Sequence, residues 1–286
     1  MKLSAHQTLL PGADLSERFK RAAECGLDGI ELAFGRRARV YDLHAEIEAA
    51  MAASGLPVGS ICGTYEGPIV HPDPVERESR LADLIRTLEF ADEIGARGVI
   101  QVPIFSSSFM PESSPPMPDM SPVADEDTLI TQLLLAMLGE VSERTAGGEA
   151  AVYLEPLNRY EATYLNTVGE AADLCRAADH ERIQLMADLF HMNIEEADIP
   201  ASLRAVAPHL GHVHLADSQR WLPGHGHTDF TSAFSAMREI DFDGWLALEC
   251  MPTPGDPLEN MRACVQYLRG CWERAGNKPP PQTPPP

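Results

Sequence analysis

Eight short apolar runs alternate with helix-like segments along the chain, and this alternation constrains the fold more than any other feature. The runs cover residues 2–6, 29–33, 58–62 and 98–103, and four more end at Glu155, Asp188, His214 and Glu249. Strands that alternate with helices favour βαβ units and a parallel sheet. Eight such units in 286 residues predict an α/β fold, a single-domain (β/α)8 TIM barrel, because such barrels commonly have about this length.

Helical segments are predicted between the runs. They lie at residues 14–25, 41–54, 74–94, 125–145, 168–178, 230–240 and 258–274, with a weaker signal at 200–206. Gly26, Gly55 and Gly95 follow three of them, where a glycine ends a helix in the left-handed conformation without a Cβ penalty. We therefore predict one barrel domain over residues 1–275.

Two segments depart from this pattern. Residues 106–123 follow the fourth predicted strand and contain five prolines, six serines and three methionines. An insertion of this length at the catalytic side of a barrel is typical of a lid or a subunit contact, and a disordered insertion fits equally well. Residues 276–286 are rich in proline, which predicts a disordered, extended tail.

Composition and charge exclude several classes of function. A formal net charge of -21 repels phosphate backbones, so we expect no nucleic-acid partner. No apolar stretch is long enough to cross a bilayer, so we expect no membrane partner and a cytoplasmic location. The six cysteines form no CxxC pair and have no regular spacing, which argues against a disulfide framework. The expected partner is a small molecule.

The last four predicted strands all end on side chains that bind metal ions. Because the carboxyl ends of barrel strands meet at one face, Glu155, Asp188, His214 and Glu249 should surround a single point. Three carboxylates and one imidazole suit Mn²⁺, Mg²⁺ or Co²⁺. The alternative is that some of these acids only form salt bridges or cap helices.

Polar side chains follow three of these positions in the predicted loops. Asn158 and Glu161 come shortly after Glu155, His191 is three residues after Asp188, and Arg220 is six residues after His214. Loop residues just past a strand end usually face the mouth of a barrel, so we expect these four side chains to lie there.

Other polar and aromatic residues are weaker candidates. Glu31 and His6 lie at the ends of the first two predicted strands, and they either support the site or form structural hydrogen bonds. Asp229 before Phe230 is predicted to cap a helix. The remaining candidates for substrate contact, each equally explained by a surface loop or ordinary packing, are His71, His225, His227, Trp221 and Phe109.

Four motifs carry a resemblance to a known family. They are Glu-Pro-Leu-Asn-Arg-Tyr-Glu from Glu155, Phe-His-Met-Asn-Ile-Glu-Glu from Phe190, Ala-Asp-Ser-Gln-Arg-Trp-Leu-Pro-Gly-His-Gly-His from Ala216, and Leu-Glu-Cys from Leu248. The chain resembles the xylose isomerase-like barrel superfamily of sugar phosphate isomerases and epimerases. It is most similar to the branch of the ketose 3-epimerases and the epimerases of keto-hexonates such as 5-keto-L-gluconate.

The resemblance implies a role for each candidate. Glu155, Asp188, His214 and Glu249 would bind the cation, with Mn²⁺ as the first choice and Mg²⁺ or Co²⁺ as alternatives. Glu155 and Glu249 would also be the acid and base. Substrate oxygens would be held by Glu161, His191 and Arg220, with Asn158 beside them. Leu189 departs from the pattern, since relatives often carry threonine there. A homodimer or homotetramer is expected.

The predicted function is therefore a metal-dependent epimerase of a keto-sugar or keto-acid sugar. It would invert the carbon next to the ketone through an enediolate, with two glutamates on opposite faces of the sugar. An acidic substrate would need a cationic partner, for which Arg220 and Arg159 are the candidates. The alternatives at the same site are an aldose–ketose or hydroxypyruvate-type isomerase and an inosose dehydratase-like lyase. An endonuclease IV-like phosphoesterase, which the acidic charge disfavours, and a non-catalytic sugar-binding barrel are further alternatives.

Overall fold

A computed structural model describes residues 1–104 and 117–276 of the chain. Within these ranges, eight parallel strands form a closed barrel in which each strand pairs with its neighbours in chain order. The strands are β1 Lys2–His6, β2 Gly29–Leu32, β3 Val58–Cys62, β4 Gly98–Gln101, β5 Ala151–Leu154, β6 Ile183–Asp188, β7 Leu210–Leu215 and β8 Trp245–Leu248. Pairing of β1 with β8 closes the barrel, and the predicted TIM barrel is confirmed.

Helices lie between the strands. They are α1 Leu15–Glu24, α2 His44–Ser54, α3 Pro74–Ile94, α4 Glu126–Arg144, α5 Val168–Ala178, α6 Leu189–Glu195, α7 Ile199–Ala205, α8 Phe230–Glu239 and α9 Pro257–Gly276. The predicted cap is confirmed, because the side chain of Asp229 accepts a hydrogen bond from the Ser232 N–H. Gly26, Gly55 and Gly95 have φ angles of 84°, 74° and 75°, as predicted for residues that end helices.

Two strands are shorter than the sequence predicted. Strand β2 ends at Leu32 because the backbone of Ala33 bonds to the side chain of Gln7 instead of to a strand. The Ala33 N–H donates to Oε1 of Gln7 at 2.7 Å, and the Ala33 carbonyl accepts from Nε2 of Gln7 at 2.9 Å. Strand β4 ends at Gln101, two residues before Pro103, which has no N–H for a ladder bond. The short helix α6, which starts directly after β6, was not predicted.

Two aromatic rings fill the amino-terminal end of the barrel. A methyl group added at Gly59 would come within 2.6 Å of the Trp245 indole, and one added at Gly98 would come within 2.6 Å of the Tyr153 ring. Both rings are buried. Glycine at these positions therefore lets the rings close this end, and the chemistry is left to the carboxyl ends of the strands.

Most of the predicted insertion lies outside the described residues, and so does the tail from residue 277. The described part, residues 117–123, contains an exposed turn with a bridge between Met120 and Ala124. The proposed lid or subunit contact stays a prediction. Helix α9 extends to Gly276, two residues beyond the predicted end, so the predicted start of the tail at residue 276 is wrong by one residue. Among the helices of the described ranges, none combines the length and apolar composition needed to cross a membrane.

Candidate metal centre

The four predicted metal ligands lie together at the carboxyl end of the barrel. Glu155, Asp188, His214 and Glu249 each offer a ligand atom, and these atoms all lie within 4.8 Å of one another. Nδ1 of His214 is 3.3 Å from Oε2 of Glu249 and 3.8 Å from Oε1 of Glu155. The first three side chains are buried, and that of Glu249 is 21% exposed. Their role as metal ligands remains a prediction.

The strand and the helix on either side of Asp188 fix its carboxylate. Asp188 is the last residue of β6 and the N-cap of α6, where its Oδ1 accepts a hydrogen bond of 2.8 Å from the Phe190 N–H. Its other oxygen, Oδ2, is buried and has no hydrogen-bond partner among the described residues. A buried carboxylate oxygen without a hydrogen bond is costly, so this geometry favours a cation beside Oδ2.

His214 shows the same feature on its inner nitrogen. Its Nε2 lies 2.8 Å from Oε1 of Glu31, whereas Nδ1 is buried and has no well-oriented hydrogen-bond partner in the described ranges. A divalent cation would satisfy both Nδ1 and the free oxygen of Asp188. The donor set of three carboxylates and one imidazole therefore fits Mn²⁺, Mg²⁺ or Co²⁺.

The two glutamates of the cluster differ in their electrostatic surroundings. Burial and the charge of Glu249 raise the pKa of Glu155 well above its usual range. Burial also raises the pKa of Glu249, but Arg220 and His214 outweigh it and hold this pKa well below its usual range. Only Glu249 has an arginine within hydrogen-bond distance, with 2.6 Å between Arg220 Nη2 and Oε2. The two carboxyl groups thus have unequal affinities for a proton.

Charge from two carboxylates also acts on the imidazole. Burial lowers the pKa of His214, but Glu31 and Glu249 outweigh it and raise this pKa well above its usual range. Binding of a metal ion at Nδ1 requires this nitrogen to be unprotonated, because a metal-bound nitrogen cannot carry a proton.

Below the cluster, the barrel interior contains a buried carboxylate. Glu31 lies on β2, fully buried, and its Oε1 is 2.8 Å from His214 Nε2 and 2.9 Å from His6 Nε2. Its Oε2 is 2.8 Å from His212 Nε2 and accepts a hydrogen bond from Ser60. Burial raises the pKa of Glu31, but His214 and His212 hold it well below its usual range. His212 and Ser60 were missed, although positions 212 and 214 of one strand must face the same side.

Three of the predicted substrate-binding residues form a hydrogen-bonded chain beside the cluster. The backbone N–H of Asn158 donates to Nδ1 of His191 at 3.1 Å, which places the imidazole proton on Nε2. That Nε2 is 3.5 Å from the free oxygen of Asp188. The amide of Asn158 donates to Glu161 at 2.8 Å. The structure therefore brings these residues together, as predicted, and their contact with a substrate remains a prediction.

Arg220, the fourth, lies between the acid cluster and this chain. Its Nη1 is 3.1 Å from Nε2 of His191, and its guanidinium stacks 4.6 Å above the Phe190 ring. Burial lowers the pKa of Arg220, but Glu249 and Asp188 outweigh it and raise this pKa. Arg220 thus remains charged, and its Nη2 donates to Oε2 of Glu249.

A strained backbone supports Arg220. Its φ angle is 64°, a left-handed conformation that costs energy for any residue except glycine. The N–H of Arg220 donates to the Asp217 carbonyl at 2.7 Å, and its carbonyl accepts from the Met251 N–H at 2.6 Å. Asp217, which the sequence did not single out, is buried. Its carboxylate accepts hydrogen bonds from the N–H groups of Ser218, Gly224, His225, Gly226 and Thr228.

A cavity of about 340 Å³ opens above the cluster. Its polar end contains Glu155, Glu161, Arg220 and Glu249. Gln101 also lines the cavity, and its buried Oε1 has no hydrogen-bond partner in the described part of the chain. The rest of the lining is mostly apolar or backbone, with Arg36 at the rim: Gly35, Arg36, Cys62, Gly63, Thr64, Gly67, Pro68, Ile100, Val102 and Leu157.

Several weaker candidates are placed elsewhere. Trp221 packs edge-on against His225, with ring centroids 6.4 Å apart. Arg159 is paired with Glu195 through bonds of 2.7 to 3.1 Å, so it is not the free cation that an acidic substrate would need. Phe109 lies outside the described residues. The loop histidines that do not line the cavity are His71, His225 and His227.

Comparison with known proteins gives one consistent result. Residues 19–271 match the xylose isomerase-like TIM barrel family. Over 275 residues the chain is 32% identical to 3-dehydro-D-guloside 4-epimerase of Escherichia coli K12, covering 95% of this chain and 100% of that enzyme. L-ribulose 3-epimerase of Mesorhizobium japonicum is 25% identical over 269 residues, covering 91% and 83%. The crystal structure of 3-keto-D-glucoside 4-epimerase from E. coli superposes with a TM-score of 0.80 at 31% identity, covering 95% and 100%.

Proposed function

Since the chain belongs to the xylose isomerase-like TIM barrel family, we propose that it is a divalent-metal-dependent epimerase of a keto-sugar or keto-acid sugar. The reaction inverts the carbon next to the ketone through an enediolate, with Glu155 and Glu249 as acid and base. Relatives that are sugar epimerases support this class of reaction. The observation that carries the proposal is the pair of glutamates in one cluster with Asp188 and His214.

The two glutamates reach this cluster from different sides of the barrel. Glu155 follows β5 and Glu249 follows β8, and two strands separate them on one side and four on the other. A substrate carbon between them would face one carboxyl group on each side. This is the arrangement that inversion needs, because one group removes the proton and the other delivers a proton to the opposite face.

Unequal proton affinities would divide these tasks. Inversion requires one glutamate to be ionised and the other to be protonated when the substrate binds. Arg220 stands beside Glu249 and not beside Glu155, which separates the two carboxyl groups electrostatically. When bound, a divalent cation would polarise the substrate ketone and so acidify the proton on the neighbouring carbon. We propose Mn²⁺ as this cation, with Mg²⁺ and Co²⁺ as alternatives.

Substrate oxygens would be held by the chain that flanks the acids. His191 offers its Nε2–H and Arg220 its guanidinium, both as donors to an oxygen that becomes negative. Glu161 offers a carboxylate to a hydroxyl group, and Asn158 fixes both Glu161 and the ring of His191. These donors and acceptors suit a vicinal keto-alcohol, the reacting unit of a keto-sugar.

The size of the cavity limits the substrate. A volume of about 340 Å³ lies at the lower end of the range for small-molecule sites. We therefore propose a substrate of monosaccharide size, either free or as a simple glycoside. A 4-epimerase of a 3-keto glycoside and a 3-epimerase of a ketose both invert a carbon next to a ketone, so the same two glutamates serve either reaction.

A metal-supplemented screen tests the proposal. The protein is stripped with EDTA, reloaded with Mn²⁺, Mg²⁺ or Co²⁺, and incubated with 3-keto glycosides, ketohexoses, ketopentoses and keto-hexonates, and the products are identified by NMR. We expect epimerisation of at least one substrate class, its loss in EDTA, and its recovery with a divalent cation.

Three variants give the matched comparison. Glu155→Gln and Glu249→Gln should each abolish turnover, because each removes one of the two proton carriers. Glu143→Gln changes an exposed glutamate of α4 in the same way and should leave turnover unchanged. A wild-type protein that binds a sugar without converting it, or an EDTA-treated protein that is fully active, would refute the proposal.

A further inference from the structure

A polar group occupies a position in the barrel interior where a TIM barrel usually has Val, Ile or Leu. The carboxylate of Glu31 on β2 is fully buried. It contacts His6 from β1, Ser60 from β3, and His212 and His214 from β7. A buried carboxylate carries a desolvation penalty of several kcal/mol. An apolar side chain would avoid this penalty, so the contacts of Glu31 call for an explanation other than packing.

The contact with His214 determines which nitrogen faces the metal cluster. An ionised carboxylate accepts hydrogen bonds and donates none, so the 2.8 Å bond from Nε2 to Oε1 of Glu31 keeps a proton on Nε2. Nδ1 then points into the cluster, 3.3 Å from Glu249 and 3.8 Å from Glu155. Each nitrogen of this ring has a separate task, and Glu31 fixes the division.

We propose that Glu31 is a positioning residue of the metal centre, which holds His214 in the one tautomer and ring orientation that direct Nδ1 to the cation. The inference deepens the proposed function, since it concerns the same cation site. It assigns a role to a residue outside the cluster of Glu155, Asp188, His214 and Glu249.

Other side chains also surround the carboxylate of Glu31. Ser60 donates a hydrogen bond to Oε2, and the Nε2 atoms of His212 and His6 lie 2.8 Å from Oε2 and 2.9 Å from Oε1, which are ion-pair distances. His6 also lies 4.0 Å from Oε1 of Glu249. The carboxylate is therefore contacted from three strands, the adjacent β1 and β3 and the opposite β7. Removal of the hydrogen-bond partner of a metal-binding histidine typically lowers the affinity for the metal 10- to 100-fold.

Isothermal titration calorimetry of the EDTA-stripped protein with MnCl₂ measures the Mn²⁺ affinity and tests the proposal without any sugar. Glu31→Gln keeps the size of the side chain but leaves one acceptor oxygen for two sets of donors. We expect Mn²⁺ affinity to fall 10- to 100-fold. Asp83→Asn is the matched control, because Asp83 is a buried carboxylate on α3 with two 2.8 Å hydrogen bonds, to Tyr41 and the Glu66 N–H, away from the cluster. It should change Mn²⁺ affinity less than about twofold.

A spectroscopic measurement on the wild-type protein covers the case in which Glu31→Gln does not fold. Long-range ¹⁵N–¹H correlation of ¹⁵N-histidine-labelled, Mg²⁺-loaded protein reports the tautomer, with the His214 signals assigned by their loss in His214→Asn. We expect the proton on Nε2. A proton on Nδ1, or a folded Glu31→Gln protein with wild-type Mn²⁺ affinity, would overturn the proposal.

These outcomes separate the inference from the proposed function. A wild-type protein that binds Mn²⁺ with Nε2 of His214 protonated but epimerises no sugar contradicts the proposed function alone. A protein that epimerises sugars and whose Mn²⁺ affinity is insensitive to Glu31→Gln contradicts the role of Glu31 alone.

Discussion

The carboxylate of Asp217 should be essential for the loop that carries Arg220, and Asp217→Asn is the variant that tests this. Oδ2 accepts the N–H groups of Gly224, His225 and Gly226 at 2.9, 3.0 and 2.7 Å. Oδ1 accepts two more, at 2.8 and 3.1 Å. Asparagine has one acceptor oxygen, so its NH₂ group must face either two or three of these donors.

The size of the effect follows from these contacts. A hydrogen bond to a charged group contributes about 1.5–3 kcal/mol, and at least two are lost. Gly224, His225 and Gly226 are exposed, so water replaces part of the loss. We expect a destabilisation of about 3 kcal/mol, which lowers Tm by roughly 6–10 °C. Because the Arg220 N–H binds the carbonyl of residue 217, kcat/KM should also fall about tenfold.

At acidic pH, the wild-type protein and Asp217→Asn should have nearly the same free energy of unfolding. Burial raises the pKa of Asp217, but hydrogen bonds from backbone N–H groups outweigh it and lower this pKa. A carboxyl group with a lowered pKa in the folded state stabilises the protein above its unfolded pKa of about 3.9 and loses this contribution as the pH falls through the folded pKa. The gap in stability between wild type and Asp217→Asn should therefore be largest near neutral pH and shrink below about pH 4.

Urea unfolding followed by circular dichroism at several pH values measures both effects. The matched control is Asp229→Asn at the start of α8, which removes the same charge from a cap where asparagine and aspartate are nearly equivalent. It should cost less than about 1 kcal/mol. If Asp217→Asn costs no more than this control, the carboxylate does not hold the loop and the reasoning is wrong.

Three further predictions concern packing, the cavity and helix capping. Gly59→Ala should destabilise the protein by about 1–3 kcal/mol, because its methyl group would meet the Trp245 ring. The control is Gly139→Ala, which has open space around it and should be neutral or stabilising in the same urea assay. Gln101→Met should raise KM about tenfold and change kcat little, since the free Oε1 is an acceptor for a substrate hydroxyl; an unchanged KM would contradict this. Thr167→Ala removes the capping box of α5 and should lower Tm by a few degrees.

Much of the fold and the candidate site could be predicted from the sequence. The alternation of strands and helices predicted the barrel, and the motifs predicted the family and an enzyme of the isomerase class, which the relatives confirm. The ends of β5 to β8 identified the clustered residues because all barrel strands end at one face. Glu161, His191 and Arg220 followed from their places in the next loops.

The rest depends on contacts between residues far apart in the chain. Glu31 meets His212 and His214 only because β2 and β7 face each other across the closed barrel interior. The role of Asp217 depends on the turn that its own loop adopts, and Arg159 is paired only because Glu195 in α6 lies next to it. No local pattern of the sequence encodes these distances, so the partners of Glu31, Asp217 and Arg159 could not be predicted.

The central claim is that two glutamates invert one carbon next to a ketone that stays in place. Conversion of an active substrate by the Mn²⁺-loaded protein in D₂O, followed by ¹H and ¹³C NMR, tests it most directly. We expect deuterium at the inverted carbon of the product and an unchanged position of the carbonyl carbon. A carbonyl that moves to the neighbouring carbon, or a product that has lost water, would contradict the account and place an isomerase or a dehydratase at this site.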